Sequence, residues 1–134
     1  MESVMAIVTM LKVQTILVLS AAILLVPTKA IAEWMYVSPS TSGERVEIET
    51  DSVQYQSPEV FYLLRTTNNA SDYSGASKSV LHASTNCSSK TYKIHRMTGF
   101  NKSGRVVFDY SKTSDPTSIM PGTPSAKLYN QLCR

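Results

Sequence analysis

Two cysteines, two histidines and one tryptophan are all that 134 residues hold of the side chains that most often bind metals, carry redox chemistry or make large aromatic platforms. For His82, Cys87 and His95 to ligate a metal, donors from two strands would have to converge with no matched second pair, so no metal site is assigned. Cys87 as a nucleophile would need a depressed thiol pKa and a positioned base, and a lone exported thiol would be open to oxidation. Charge is scarce as well. Charged residues make up 17% of the chain and the formal net charge is +3, too little for a global attraction to nucleic acid. Paired carboxylates occur at Glu47 and Glu49, with Asp51 just beyond, but no cleft signature accompanies them and a solvated acidic strand face is the expectation. The sequence therefore assigns no catalytic residue, no cofactor and no enzyme activity.

The N-terminus has the composition of an address. Lys12 precedes an apolar run from Val13 to Val26, Pro27 breaks it, and Ala30-Ile31-Ala32 fits a small-x-small cleavage site. A run of fourteen residues is shorter than the roughly 20 a helix needs to cross a bilayer, which favours a cleaved signal peptide over 1–32 and no stable membrane span afterwards. Residues before Met10 carry Glu2 and no Lys or Arg, a poor start for such a signal, so translation from Met10 competes with translation from Met1. Residues 33–134 then form a single domain. Of the 13 Lys and Arg, Lys12 and Lys29 lie in the leader, and of the 10 Asp and Glu only Glu2 does, leaving a net charge near +2. Export and an even cysteine count go together, since thiols in an oxidising compartment usually pair. A Cys87–Cys133 disulfide is expected.

Along the domain, Trp34 to Val37 predicts a short strand ended by Ser38-Pro39. Arg45 to Thr50 alternates Val46 and Ile48 with Glu47 and Glu49, the pattern of a half-buried strand. Asp51-Ser52 could cap one helical turn around Val53 and Tyr55, stopped by Ser57-Pro58. Glu59 to Thr67, with Val60 to Leu64 all apolar, predicts a central strand covered on both faces. The polar stretch 67–76 predicts an exposed loop, and Ser77 to Thr85 a fourth strand. From Cys87 to Tyr110 the chain reads as a hairpin: Tyr92 and Ile94 alternate inward, Asn101 to Gly104 supply the turn, and Val106 and Phe108 resume the alternation. Three prolines and a glycine between Ser111 and Pro124 predict an irregular crossing over one end of the sheet. Ala126, Leu128, Tyr129 and Leu132, with Thr123 or Ser125 as cap and Pro124 just inside, predict a short amphipathic helix that delivers Cys133 to Cys87. The sum is an α+β fold: one antiparallel sheet of about six strands with a C-terminal helix packed on it.

These features, taken in order, resemble the surface-adhesin protein E-like family of exported Gram-negative bacterial proteins. The resemblance rests on the leader, Trp34 just after the cleavage point, and the Val-x-Ile-x-x-Asp-Ser run of Val46, Ile48, Asp51 and Ser52. It continues through Cys87 followed by Tyr92 and Ile94, a turn ending in Gly104 before Val106-Val107, Pro121, and a helix closing at Cys133. It covers nearly all of the domain. It implies a PAS-like α+β fold, a periplasmic or cell-surface location, and binding of host extracellular proteins. By analogy with PAS-like sheets, which commonly self-associate, it also raises a homodimer. A bacterial source would leave the Asn-x-Ser triplets at Asn69, Asn86 and Asn101 unglycosylated.

The strongest local bias is basic. Lys90, Lys93, His95, Arg96, Lys102 and Arg105 run without an acidic residue until Asp109. Lys93 and His95 alternate with the inward Tyr92 and Ile94, so they face outward and form a candidate patch for extracellular-matrix or other acidic macromolecules. The same pattern equally describes a solvated face that discourages edge pairing. Tyr73, among small polar residues in the 68–76 loop, is a further candidate contact. Besides a surface binding module, a periplasmic structural or assembly factor and a small hydrolase or hydrolase inhibitor stay open. Mass spectrometry of protein taken from its native compartment without reductant is expected to find Glu33 as the first residue and both thiols oxidised. An intact leader or two free thiols would contradict export.

Overall fold

The strands are set by their turns. The computed structural model describes residues 31–68 and 74–134; the expected leader, apart from its last two residues, and Tyr73 lie outside them. Strands β1 (Trp34–Pro39), β2 (Arg45–Gln56), β3 (Glu59–Thr67), β4 (Lys78–Asn86), β5 (Thr91–Phe100) and β6 (Val106–Tyr110) follow one another across one antiparallel sheet in chain order. A short β7 (Thr117–Ser118) pairs with β5, and helix α1 (Pro124–Leu132) closes the chain. In the β5–β6 turn the Asn101 carboxamide oxygen accepts from the Ser103 amide at 3.0 Å, the Ser103 hydroxyl at 2.7 Å and the Arg105 amide at 3.0 Å. Gly104, at φ +80°, supplies the left-handed residue that such a turn needs. Asn86 plays the same part between β4 and β5, accepting from the amides of Ser88 and Ser89.

Residues directly opposite each other across an antiparallel pair share a face. Val46 and Ile48 of β2, Val60 and Tyr62 of β3, and Ala83 of β4 are buried together on one face, with Leu128 of α1 seated on them at 1% exposure. Burial raises the Tyr62 hydroxyl pKa, and that hydroxyl is satisfied by Thr85 Oγ1 at 2.7 Å. The helix starts where the capping pattern predicts: Thr123 Oγ1 accepts from the Ala126 amide at 3.3 Å and Pro124 takes the first helical position. Three polar or covalent tethers join its burial of Leu128. Cys133 is bonded to Cys87, the Tyr129 hydroxyl donates to the Cys87 carbonyl at 3.1 Å, and Lys127 Nζ donates to the Val37 carbonyl. With a sequence separation of 46 between the cysteines, the disulfide constrains the unfolded chain by about 4 kcal/mol on the loop-entropy argument.

Four expectations change. β2 does not turn helical at Asp51-Ser52. It runs on to Gln56 across an irregularity between Glu49 and Gln54, where the Ser52 hydroxyl donates to the Glu49 carbonyl at 2.6 Å and accepts from the Leu63 amide at 2.8 Å. The side chain thus fills the place of a missing ladder bond, which gives the Asp-Ser pair its use. β3 is central, yet only one of its faces is covered, because α1 is a single short helix; Phe61 and Leu63 lie half-buried on the other. The segment after Tyr110 does not cross an end of the sheet but runs along the outer edge of β5. There the Ser114 amide donates to the Ile94 carbonyl at 2.8 Å before Thr117 and Ser118 pair with Tyr92 and Thr91. Val106 is not inward: a register shift at Gly99/Phe100 pairs it with Phe100 and leaves it 56% exposed.

Leu128 carries most of the apolar contact of α1. Leu128→Ala is expected to cost about 3 kcal/mol and to lower Tm by on the order of 10 °C or more. Tyr129→Phe, which removes only the bond to the Cys87 carbonyl, should cost about 1 kcal/mol. Thermal melts of both under non-reducing conditions check the order, and a milder effect for the leucine would mean that the tethers, not burial, hold the helix.

Candidate functional site

Among the described residues no helix lies on the face of the sheet opposite α1, and the side chains there cover one another. At the β1 side they do so around Glu47. Its Oε1 accepts from Arg45 Nε at 3.0 Å, and its Oε2 accepts from Arg65 Nε at 2.8 Å and Nη2 at 2.7 Å. Arg45 lies over the Tyr36 ring at 4.7 Å and Arg65 over the Trp34 ring at 4.4 Å, within cation–π range. One strand, β1, supplies both rings, and β2 and β3 supply the guanidinium groups, because the register sets Tyr36 opposite Glu47 and Glu47 opposite Arg65. Glu47 is left 6% exposed. Burial pushes its carboxyl pKa up, but the hydrogen bonds and charges of Arg65 and Arg45 outweigh that, and the net direction is down. The solvated acidic face expected for β2 is thus, at Glu47, a covered ion cluster.

Further across the face the surface dips. A concavity of about 540 Å³ lies over the middle of the sheet, walled by Ser52, Gln54 and Gln56 of β2, floored by Phe61 and Leu63 of β3, and bounded by His82 and His95. His95 is the extra residue where β5 slips against β4, since His82 pairs with Arg96 and Ala83 with Ile94. Its Nε2 meets Ser84 Oγ at 2.8 Å, its Nδ1 meets Thr113 Oγ1 at 3.3 Å, and its ring lies 5.5 Å from that of Phe61. Ser84 is 1% exposed, so this Ser–His pair is a buried support and not a nucleophile open to substrate.

The structure spreads the basic candidates over the whole length of β5. Lys90 stands in the β4–β5 turn at one end, while Lys102 and Arg105 stand in the β5–β6 turn at the other. Between them Lys93 approaches Glu59 at 3.8 Å, and Arg96 clasps Asp109 with bonds of 3.0 and 2.7 Å. The Arg96 hydrogen bonds hold the Asp109 carboxyl below its ordinary range, and Asp109 in turn raises Arg96. Lys102 and Arg105 make no ion pair among the described residues. Sequence reasoning missed the cluster of Trp34, Tyr36, Arg45, Glu47 and Arg65. Arg45 and Glu47 two apart on one strand were a signal, but Arg65 joins only through the β2–β3 register. Among the described residues no group of His, Cys, Asp and Glu is placed to hold a metal, and no helix is long and apolar enough to cross a membrane.

Comparison with known proteins adds three findings. The model of the family described as surface-adhesin protein E matches residues 34–134. Two crystal forms of Haemophilus influenzae protein E superpose with a TM-score of 0.57 at 13% identity, each over 80% of this chain and over 88% and 91% of theirs. No curated protein sequence matches.

The ion cluster makes a pH prediction. A carboxyl whose folded pKa is lowered stabilises the fold above its unfolded value, near 4.5, and that contribution is lost as pH falls through the folded value. Glu47→Gln is therefore expected to cost about 1–3 kcal/mol at pH 7, and the gap to the parent protein should close on acidification below about pH 4.5. Urea melts of both proteins across that range measure it; a gap independent of pH would mean that shape, not charge, is what Glu47 supplies.

Proposed function

The chain belongs to the surface-adhesin protein E family, and from that membership we propose that it is an exported binding module displayed on the bacterial surface, where it engages host extracellular proteins through one end of its sheet. The leader over 1–32 and the disulfide, at home in an oxidising compartment, support export. The observation that carries the choice of surface is a coincidence of loops. The β5–β6 turn and the β3–β4 connection stand at the same end, tied by the Ser77 amide donating to the Phe100 carbonyl and the Asn68 amide donating to the Ser77 carbonyl, each at 2.9 Å. That end presents Lys102 and Arg105, exposed and without ion pairs among the described residues, beside Lys78, whose ammonium lies 5.2 Å from the Phe100 ring centre. The neighbouring Val106 and Val107 are 56% and 38% exposed. Cations around a small apolar patch fit an acidic stretch of protein, and Tyr73 belongs to the same connection. Lys93 and Arg96 are already neutralised, so they act as the rigid support of this end and not as its charge.

In solid-phase binding to a panel of extracellular-matrix proteins, the double variant Lys102→Glu/Arg105→Glu is expected to lose about fivefold or more in affinity, with parent binding weakening as NaCl rises. Lys90→Glu, a charge reversal at the opposite end, is the control. Equal losses for both variants, or none, would remove the assignment of this end. Protease treatment of intact cells should clip the protein if it is displayed; full protection would favour a periplasmic structural role.

A further inference from the structure

We infer that the concavity on the open face is a binding subsite for a neutral saccharide, separate from the charged end of the sheet. The first reason is electrostatic. No Asp, Glu, Lys or Arg lines the concavity, and of the charges beside it Lys93 is paired with Glu59 and Arg96 with Asp109. A charged ligand would find nothing there to compensate its desolvation.

The second reason is what the walls offer. Gln54 and Gln56 alternate along β2 on the open face, and with the exposed His82 they make no side-chain hydrogen bond among the described residues. A carboxamide presents both donors and an acceptor, and an imidazole adds two ring nitrogens able to hydrogen-bond. Sugar hydroxyls, which also donate and accept, are matched by that set. The floor completes the pattern, since Phe61 and Leu63 offer a half-exposed aromatic and aliphatic surface, suited to the C–H face of a pyranose. His95, gripped by Ser84 and Thr113, sets the Phe61 ring from one side.

The third reason concerns the competitor, a peptide strand. Over the concavity the backbone groups of β3 and β4 are consumed by ladders on both sides, and even the gap in β2 is closed by Ser52. An extended peptide has no edge to join here, so recognition falls to side chains alone. At about 540 Å³ the concavity is within the range of small-molecule sites, though open, which suits the terminal one or two rings of a larger glycan.

This inference draws on the adhesin reading only for the source of the sugar; the binding itself stands apart from it. The test is an amide-detected NMR titration of the oxidised domain with lactose, N,N′-diacetylchitobiose, methyl α-mannoside and methyl α-fucoside, with sialyllactose as the anionic comparison. At least one neutral saccharide is expected to give saturable shifts at Gln54, Gln56 and His82 with Kd on the order of 1 mM, unchanged by added salt. Gln54→Ala/Gln56→Ala, two exposed positions whose loss leaves the core intact, should raise that Kd about tenfold, while Lys102→Glu/Arg105→Glu should leave it alone. No saturable shift from any neutral saccharide up to about 50 mM, binding of the anionic sugar only, or undiminished binding by the glutamine variant would each overturn it. Matrix-protein binding that persists alongside such a failure would sink the saccharide subsite and leave the adhesin reading standing.

Discussion

The fold depends on holding one short helix against one face of a sheet. A nine-residue helix is too short to be stable alone, so α1 exists because Leu128 is buried and Cys133 is fastened to Cys87. The disulfide keeps the far end of the helix near the β4–β5 turn, and Lys127 holds its beginning to the bulged Val37 of β1. Between those points the helix spans the β1 half of the sheet. Everything else about the molecule follows from having one cover and two faces.

The uncovered face has to satisfy itself without a second layer, and it does so by pairing charge locally. An antiparallel sheet tolerates water on one side when the outward side chains are polar. Here the outward residues include Trp34, Tyr36, Phe61 and Leu63, which would make a sticky plane if left bare. The guanidinium groups of Arg45 and Arg65 lie on two of the rings while Glu47 neutralises both cations, so apolar area and charge are hidden by the same contacts. At the other side Arg96 and Asp109 do the equivalent for the β5–β6 pair. Most charge on the face is paired locally, while Lys90, Lys102 and Arg105 stand in the hairpin turns.

What the sequence revealed and what it hid divide along the range of the interactions. The helix was legible because its cap, its proline and its apolar spacing lie within ten residues of one another. The β5–β6 turn was legible because the Asn101 carboxamide can bond to nearby backbone and Gly104, lacking a Cβ, can take a positive φ. Asp51-Ser52 misled because a Ser before an apolar stretch serves equally as a helix cap or as a plug in a strand, and only Leu63, eleven residues on, decides which. The Glu47 cluster needed the β2–β3 register, which couples residues eighteen apart, and residues 111–118 needed the edge of β5, a polar pairing that leaves no periodic mark. Val106 turned outward through a single register slip beside Gly99, where the Phe108 ring lies so close that a Cβ would sit 2.3 Å from it.

At 13% identity, the likeness to Haemophilus influenzae protein E transmits a layout and not a surface. In this chain the layout hangs on few positions: a cysteine at each end of the clamp, a buried helical leucine, a serine in the β2 gap and a left-handed glycine in a turn. Binding chemistry for this chain has therefore to be argued from its own outward side chains, and these fall into two kinds. Lys102 and Arg105, without ion pairs among the described residues, stand at one end of the sheet beside Lys78. Uncharged amides and an aromatic ring held by His95 lie over the middle of the sheet. Between the two, Lys93 is paired with Glu59 and Arg96 with Asp109, so those cations add little to either.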